Sequence, residues 1–280
     1  MVSSAVIITS DDLGRWPEVN DAVMAGYDAG VISSAGLRVN GQAARSAIVS
    51  ASMRSGLGVG LHLVLCEGSS TLPRHDIPNL VDAGGRFVSR PLEAAWLYRR
   101  GGGLRDELAA EIRAQVERFL SSGLYLTHVS STYDLHLHPT ILGILKDLAL
   151  EYPLWAIRKP CGKAWKWSRR YNTPGWQTAL ENSVMRPVLG YGRLRSRCFK
   201  GPDRVEPLSR TRPITEHSVV ERLNSLKSGV TEFVCHPGSF LRRYDGIGEA
   251  AVLTSPMVRA SLEANDDVDL ISYREVTEGN

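Results

Sequence analysis

Short apolar runs alternate with amphipathic stretches along most of the chain. The apolar runs that predict strands cover residues 6–9, 31–40, 57–65, 124–130, 154–160, 231–238 and 268–276. The stretches that predict helices cover residues 17–29, 43–56, 104–122 and 140–150. Pro17 suits the first turn of a helix, and Gly30 and Gly123 suit positions just after helix ends.

This order of elements indicates the fold class. Strands that alternate with helices favour an α/β fold with a parallel sheet, either closed as a barrel or doubly wound. A chain of 280 residues is long enough for one large domain, and α/β barrels commonly have this length. In both arrangements ligands bind at the carboxyl ends of the strands, where we therefore look for a site.

Polar side chains of the types that act in catalysis or metal binding occur at these predicted strand ends: Asp11, Asp12, His62, Arg158 and His236. Each has a structural alternative, because adjacent aspartates can form a turn or cap and a buried histidine can be satisfied by hydrogen bonds in the core. Several such residues at the strand ends of one chain favour a functional site instead.

Residues 127–139, THVSSTYDLHLHP, hold three histidines and an aspartate beside a predicted strand end. If the segment is extended, one face carries His128, Ser130, Thr132, Asp134, His136 and His138. Neighbours on that face are about 6 to 7 Å apart at roughly 3.3 Å per residue. Since metal–ligand bonds are about 2 Å long, this segment supplies one or two ligands at most.

Composition indicates a globular protein, with 43% hydrophobic and 22% charged residues. The N-terminus lacks a basic region followed by a long apolar stretch, and we find no window of eighteen uninterrupted apolar residues. We therefore expect no signal peptide, no membrane span and a cytoplasmic location. The four cysteines are far apart, which argues against a zinc knuckle and a disulfide scaffold.

The net charge of +3 hides an asymmetry. Residues 155–200 hold eleven Lys or Arg residues and one acid, Glu181, which leaves −7 for the rest of the chain. The same block contains Trp155, Trp165, Trp167 and Trp176. It could contact anionic lipid, a phosphate or RNA, or it could be a solvated loop whose tryptophans pack on the core.

The sequence resembles the YdjC-like carbohydrate deacetylases, and within them the hopanoid-biosynthesis-associated branch. The stretches that carry the resemblance run through nearly the whole chain in order: SDDLG, PEVNDAV, GVISSAGLRVNG, VGLHLVLCEG, IPNLVDAGGRF, EIRAQVERF, HLHPT, IRKP, TEFVCHPGS and DLISYREV. The resemblance implies a single-domain, distorted (β/α) barrel of the polysaccharide-deacetylase-like type. Residues 160–210 resemble the family least, and about 155–205 would form an insertion or lid.

The resemblance also implies a reaction, the metal-dependent removal of an N-acetyl group from an amino sugar. Asp11 would be the general base, His236 the acid that protonates the departing amine, and Arg158 would orient the base or the substrate. Asp12 and His62 would bind a divalent ion, with zinc as the expected ion and magnesium, manganese or another ion as alternatives. Such an ion polarises the amide carbonyl and acidifies a bound water.

The family pattern is broken at its third metal ligand. Thr132 stands where the family has a histidine, and Ser130 stands where it has an acid or amide. Asp134 is the preferred substitute ligand and His136 the second, if the backbone turns here. Tyr133 and Asp134 are further departures, and Arg38 stands where many relatives have methionine. We expect substrate contacts from Arg38, Asn40, Thr132 and Tyr133.

Alternative functions follow from the same departures. The chain could be a sugar- or lipid-binding pseudoenzyme that has lost metal chemistry at Thr132. A glycosidase is disfavoured because its two carboxylates must lie on opposite sides of a sugar, which the adjacent Asp11 and Asp12 do not allow. We expect an amino-sugar or glycolipid substrate, such as an N-acetylglucosaminyl hopanoid, and no nucleic acid. Peripheral contact with the inner membrane and a homodimer stay open.

Overall fold

The computed structural model describes residues 4–160, 183, 185, 187, 188, 190–208, 214–238, 246–265 and 267–278. Its strands are β1 (Ser4–Leu13), β2 (Ser34–Leu37), β3 (Gly58–Leu63), β4 (Val129–Ser131), β5 (Arg204–Pro207), β6 (Gly229–Cys235) and β7 (Val268–Leu270). Its helices include α1 (Pro17–Asp28), α2 (Ala44–Ser52), α3 (Pro91–Leu97), α4 (Gly103–Leu120), α5 (Pro139–Leu148), α6 (Glu216–Asn224), α7 (Gly246–Leu253), α8 (Pro256–Glu263) and α9 (Tyr273–Glu278). A 3₁₀ turn spans Thr132–Leu137.

The strands form one parallel sheet in the order β4-β3-β2-β1-β6-β5, and β7 also pairs with β1. Single bridges from Val129 to Ile157 and from Ala156 to Lys200 extend the sheet beyond β4, towards the segment that leads into β5. The sheet therefore curls into an incomplete (β/α) barrel, which confirms the predicted α/β fold class.

The central strands are buried because they are largely apolar on both faces, as expected for a parallel sheet that is covered by helices, whereas β5 and β7 are partly exposed. β1 and β3 have almost no exposed surface, and the helices pack apolar side chains such as Val23, Ile112 and Ile141 against the sheet. This rigid sheet places all the strand ends that carry polar residues at one edge.

Several predicted strands are shorter than their apolar runs, and the run 31–40 contains only the four residues of β2. Of residues 124–130 only Val129 and Ser130 lie in a strand, and residues 154–160 contribute single bridges alone. In the run 268–276, β7 ends at Leu270 and a helix begins at Tyr273, so the strand prediction is wrong there. The pattern was misleading because Tyr273 is fully buried in a helix and not in a strand.

About half of the predicted lid at 155–205 lies outside the described residues, namely residues 161–182, 184, 186 and 189. Trp165, Trp167 and Trp176 are among them, whereas Trp155 is described and exposed. None of the described helices is both long and apolar enough to cross a membrane.

Candidate active site

The sheet brings five predicted residues together at the carboxyl ends of its strands. Asp11 and Asp12 lie near the end of β1, His62 in β3, and His236 directly after β6. Arg158 follows the bridge that extends the sheet beyond β4. Four of the five are buried, and the side chain of His236 is 16% exposed, so the cluster reaches solvent beside this histidine.

Asp11 lies at the centre of the cluster. Arg158 Nη1 donates a hydrogen bond to Asp11 Oδ2 over 2.6 Å, and His236 Nε2 lies 3.7 Å from the same oxygen. Asp11 Oδ1 lies 3.6 Å from His62 Nδ1 and makes no hydrogen bond within the described part of the chain. Burial alone would raise the pKa of Asp11, but the charge of Arg158 and the neighbouring His62 hold it well below its usual value.

Arg158 is itself held by a buried carboxylate that the sequence analysis missed. Its Nε and Nη2 atoms donate to Glu232 Oε1 at 3.0 and 2.8 Å, and Tyr273 Oη donates to Glu232 Oε2 at 2.7 Å. Burial would lower the pKa of Arg158, but Asp11 and Glu232 keep it well above its usual value. The only sequence signal was an acid at Glu232 inside an apolar strand.

Asp12 has different partners from its neighbour. Arg38 Nη1 donates to Asp12 Oδ1 over 2.8 Å, and Arg15 Nη1 donates to Asp12 Oδ2 over 3.1 Å. Burial opposes ionisation, yet these two guanidinium groups keep the pKa of Asp12 far below its usual value. Asp12 also has a φ of +66°, a left-handed conformation that turns the chain between the two carboxylates. No sequence signal pointed to Arg15.

His62 contacts two hydroxyl groups. Its Nδ1 atom lies 3.0 Å from Ser130 Oγ, and its Nε2 atom lies 3.4 Å from Thr132 Oγ1. Gly36 of the adjacent strand makes room for this arrangement, since a Cβ there would lie 3.2 Å from both Asp11 Oδ1 and the Cβ of His62. The predicted ligand position at Thr132 therefore does lie beside His62.

The histidine-rich segment turns after Ser131. Tyr133 and Asp134 have φ values of +58° and +54°, so the extended alternative with one shared face is wrong from Thr132 onward. His136 Nε2 lies 2.8 Å from the carbonyl oxygen of Arg158, and Ser131 Oγ lies 2.8 Å from His136 Nδ1. Both ring nitrogens are engaged. Burial lowers the pKa of His136 to about 3.

The other two histidines of this segment are packed in the core. His128 stacks on Tyr273, with ring centroids 3.8 Å apart, and its Nδ1 atom lies 3.0 Å from Thr127 Oγ1. His138 lies edge-on to Tyr98, and burial lowers its pKa to about 4. They lie in the core, as in the structural alternative, but His128 Nε2 and His138 Nδ1 make no hydrogen bond among the described residues.

The four predicted substrate contacts are placed around the cluster. Arg38 and Thr132 lie next to Asp12 and His62, as described above. Asn40 Nδ2 donates to the carbonyl oxygen of Ser69 over 2.6 Å, and Tyr133 Oη donates to Glu67 Oε2 over 2.7 Å. Their contact with substrate stays a prediction.

The donors around Asp12 and His62 decide whether the predicted divalent ion fits. An ion bound by Asp12 and His62 would lie next to Asp12 Oδ1, which is 4.0 Å from His62 Nε2. That oxygen already accepts a hydrogen bond from Arg38, and the third donor at hand is the neutral hydroxyl of Thr132. Among the described residues, no group of three or more His, Cys, Asp or Glu is placed to hold a metal ion.

Neither predicted substitute completes the set. His136 uses both ring nitrogens within the fold, and Asp134 forms no group of three with Asp12 and His62 among the residues that the structure describes. The residues present therefore do not fit a tightly bound divalent ion.

Comparison with known proteins identifies relatives. The family model described as YdjC-like protein matches residues 5–264. A carbohydrate deacetylase of Geobacillus stearothermophilus is 30% identical over 281 residues, which cover 96% of each chain. A carbohydrate deacetylase of Brevibacillus brevis is 38% identical over 152 residues, or 52% of this chain and 56% of the relative.

Two further matches extend the comparison. A chitooligosaccharide deacetylase of Serratia marcescens is 33% identical over 148 residues, which cover 51% of this chain and 55% of the relative. The chain thus spans little more than half the length of two of these three relatives. A crystal structure from Enterococcus faecalis V583, provisionally assigned to cellobiose-phosphate cleavage, has a TM-score of 0.71 at 23% identity and covers 98% of this chain and 99% of that chain, which supports the fold alone.

Proposed function

Because the chain belongs to the YdjC-like family, we propose that it is a carbohydrate deacetylase that hydrolyses the N-acetyl group of an amino sugar. The observation that carries this proposal is Asp11, a buried carboxylate that is held ionised by Arg158 and keeps one oxygen without a hydrogen bond in the described residues. A family name alone does not select these atoms, so the role of Asp11 rests on its contacts in this site.

Asp11 supplies the general base. Its Oδ1 atom can accept a hydrogen bond from a water molecule and then take its proton as the water oxygen attacks the acetyl carbonyl carbon. A carboxylate with so low a pKa is a weak base. Fixed positioning offsets this weakness, because a base and a nucleophile held at contact distance react without the entropy cost of meeting. The burial of Asp11 provides that positioning.

His236 supplies the general acid. When the carbon–nitrogen bond breaks, the amine nitrogen of the sugar needs a proton, and the His236 imidazolium donates it. His236 Nε2 lies 3.7 Å from Asp11 Oδ2, so the proton that Asp11 took from water can return to the imidazole. The backbone N–H of His236 donates to Glu249 Oε2, which fixes the residue at the end of β6.

Arg158 is a positioning residue in this proposal. One nitrogen binds Asp11 and two bind Glu232, so the guanidinium group fixes the orientation of the Asp11 carboxylate. The two nitrogens that share Glu232 Oε1 restrain the position and the plane of the guanidinium group, which a lysine at the same place would not do.

The substrate that we propose is an N-acetylated amino sugar, free, in an oligosaccharide or linked to a lipid. The name chitooligosaccharide deacetylase of one relative supports the N-acetylglucosamine unit. The narrower prediction of an N-acetylglucosaminyl hopanoid rests on the sequence resemblance. Since the donor set does not fit a divalent ion, no step of the reaction is assigned to a metal.

Acetate release tests this proposal. Purified protein would be incubated with N-acetylglucosamine, chitooligosaccharides and an N-acetylglucosaminyl lipid, and with the O-acetylated sugar as a comparator. We expect equal amounts of acetate and free amine from at least one N-acetylated substrate. Binding of these sugars by calorimetry with no acetate from any of them would instead favour the pseudoenzyme alternative, which the change at Thr132 supports.

A further inference from the structure

Two arginines lie where the resemblance led us to expect a metal ion. Arg38 and Arg15 each donate to one oxygen of Asp12, at 2.8 and 3.1 Å. The side chains are 4% and 11% exposed, so water screens these charges weakly. Glu67 Oε1 lies 4.0 Å from Arg15 Nη2, so two guanidinium groups already balance the two carboxylates of this corner before any ion is added.

Contacts on two sides fix the position of the Arg38 guanidinium group. Besides Asp12, its Nη2 atom donates to the carbonyl oxygen of Glu67 over 3.4 Å. A Cβ on Gly68 would lie 2.9 Å from the same nitrogen, so glycine at this position leaves the space that the guanidinium group needs. These contacts use two of the five N–H donors of an arginine side chain, which leaves donors for a ligand.

The position of Arg38 next to Asp12 Oδ1 decides whether a divalent ion can bind between Asp12 and His62. This oxygen faces His62 Nε2 at 4.0 Å, and His62 Nδ1 in turn lies 3.6 Å from Asp11 Oδ1. A divalent ion between Asp12 and His62 would approach the guanidinium group, which already carries a positive charge, and like charges at such distances repel.

From this arrangement we propose that Arg38 serves as a resident cation in place of a divalent metal and that its guanidinium group binds the acetyl carbonyl oxygen of the substrate. The inference rests on the proposed deacetylase function. The negative charge that develops on this oxygen as water attacks is stabilised by the N–H donors of Arg38. When the carbon–nitrogen bond breaks, the oxygen electron pair re-forms the C=O bond, and the C–N electron pair leaves with the amine nitrogen, which takes the proton of His236. Arg15 binds the other oxygen of Asp12, so Arg38 shares this carboxylate with a second cation.

Zinc binding tests the inference without any assay of activity. Wild-type protein, Thr132→His and the double variant Arg38→Met/Thr132→His would be treated with chelator and titrated with zinc by calorimetry. We expect no saturable site in the wild type and about one equivalent in the double variant, because it gains a third ligand and loses the competing charge. His62→Ala added to the double variant should abolish this binding, which would assign it to the site.

A wild-type protein that binds about one zinc ion per chain, with binding lost in His62→Ala alone, would overturn the inference. This result would leave the proposed deacetylase function intact, since acetate release is measured separately. A double variant without a zinc site would also count against it, provided circular dichroism shows a folded chain.

Acetate release provides a second test of the role of Arg38. We expect acetate release by the wild type to be unchanged by chelator and kcat to fall by about 10²- to 10³-fold in Arg38→Met, the usual loss for one oxyanion donor. Arg38→Lys should retain part of kcat because it keeps the charge. Loss of wild-type activity on chelation, with recovery on adding zinc, would contradict the role of Arg38.

Discussion

At the residue scale, the neighbouring carboxylates of Asp11 and Asp12 differ in what their oxygens contact. Each oxygen of Asp12 accepts a hydrogen bond from an arginine, whereas Asp11 Oδ1 has no hydrogen bond among the described residues. The general base is therefore Asp11, and Asp12 orients the guanidinium groups of Arg15 and Arg38. Two adjacent residues of one type take different roles because the turn at Asp12 points them to different partners.

The buried ion pair of Arg158 should matter for stability as well as for orientation. Arg158→Met leaves Asp11 and Glu232 buried without their cation, and we expect the free energy of unfolding to fall by about 3 to 5 kcal/mol. The control is Arg54→Met, which removes an exposed pair with Asp28 and should cost less than about 1 kcal/mol. Urea unfolding measures both, and equal losses would contradict the structural role of Arg158.

The strand-end rule predicted five of the site residues from the sequence, since a polar residue after an apolar run has few other reasons to be there. Glu232, Tyr273 and Arg15 were not predicted. Their partners lie far away along the chain or across a turn, and such pairings depend on tertiary packing. The predicted metal ligands were carried over from a family pattern, and the pattern did not anticipate that Arg38 would pair with Asp12.

At the element scale, the turn at Thr132–Leu137 and the strand β2 decide the shape of the site. The sequence predicted a strand end near Ser130 but could not fix the turn, because aspartate at position 134 is only a weak signal for a left-handed φ and Tyr133 carries none. The turn directs His136 to the carbonyl oxygen of Arg158. The histidine-rich segment thus contacts the backbone of Arg158, and the side chain of Arg158 in turn binds the base Asp11.

Gly36 in β2 should be needed for catalysis. A Cβ at this position would lie 3.2 Å from Asp11 Oδ1 and 3.3 Å from Ser130 Oγ, so Gly36→Ala should displace the base slightly and lower kcat by about tenfold or more. Gly143→Ala in α5 is the control, since nothing lies within 4 Å of its added Cβ. Acetate release compares the two variants, and unchanged kcat in Gly36→Ala would show that Asp11 tolerates displacement.

The neutral His136 should make stability depend on pH. Its pKa is about 3 in the fold and about 6.5 when unfolded, so the unfolded chain takes up a proton that the folded chain does not. Stability is therefore full above about pH 6.5 and falls towards pH 3. The contribution lost between pH 7 and 4.5 is roughly 2 to 3 kcal/mol.

The variant His136→Gln tests this account. Glutamine cannot be protonated, so its loss of stability between pH 7 and 4.5 should be smaller than that of the wild type by about that amount. Urea unfolding at the two pH values gives the change in the free energy of unfolding within each protein. A loss of stability that the substitution causes equally at both pH values cancels in this difference. The same pH dependence in both proteins would contradict a buried neutral His136.

At the scale of the whole molecule, the curled parallel sheet and the charge asymmetry are the main features. The alternation of strands and helices predicted the fold class because it follows from apolar periodicity alone. The strand order and the degree of barrel closure did not follow, since they depend on contacts between distant segments such as Val129 and Ile157.

The basic segment 155–200 predicts attraction to anionic surfaces. We expect the protein to sediment with vesicles that contain anionic lipid at low salt, and to be released at high salt because ions screen the charges. Vesicles of neutral lipid are the control. Absence from the anionic vesicles even at low salt would leave the segment without a membrane role.

The central claim is that Asp11 activates water for hydrolysis of an N-acetyl group, and the most direct test is acetate release by Asp11→Asn compared with Asp21→Asn. Asp21 is an exposed aspartate of α1, so its variant controls for the loss of a carboxylate. We predict that Asp11→Asn lowers kcat by about 10²-fold or more on the substrate with the highest activity, and that Asp21→Asn retains wild-type kcat. Undiminished acetate release by a folded Asp11→Asn protein would contradict the account.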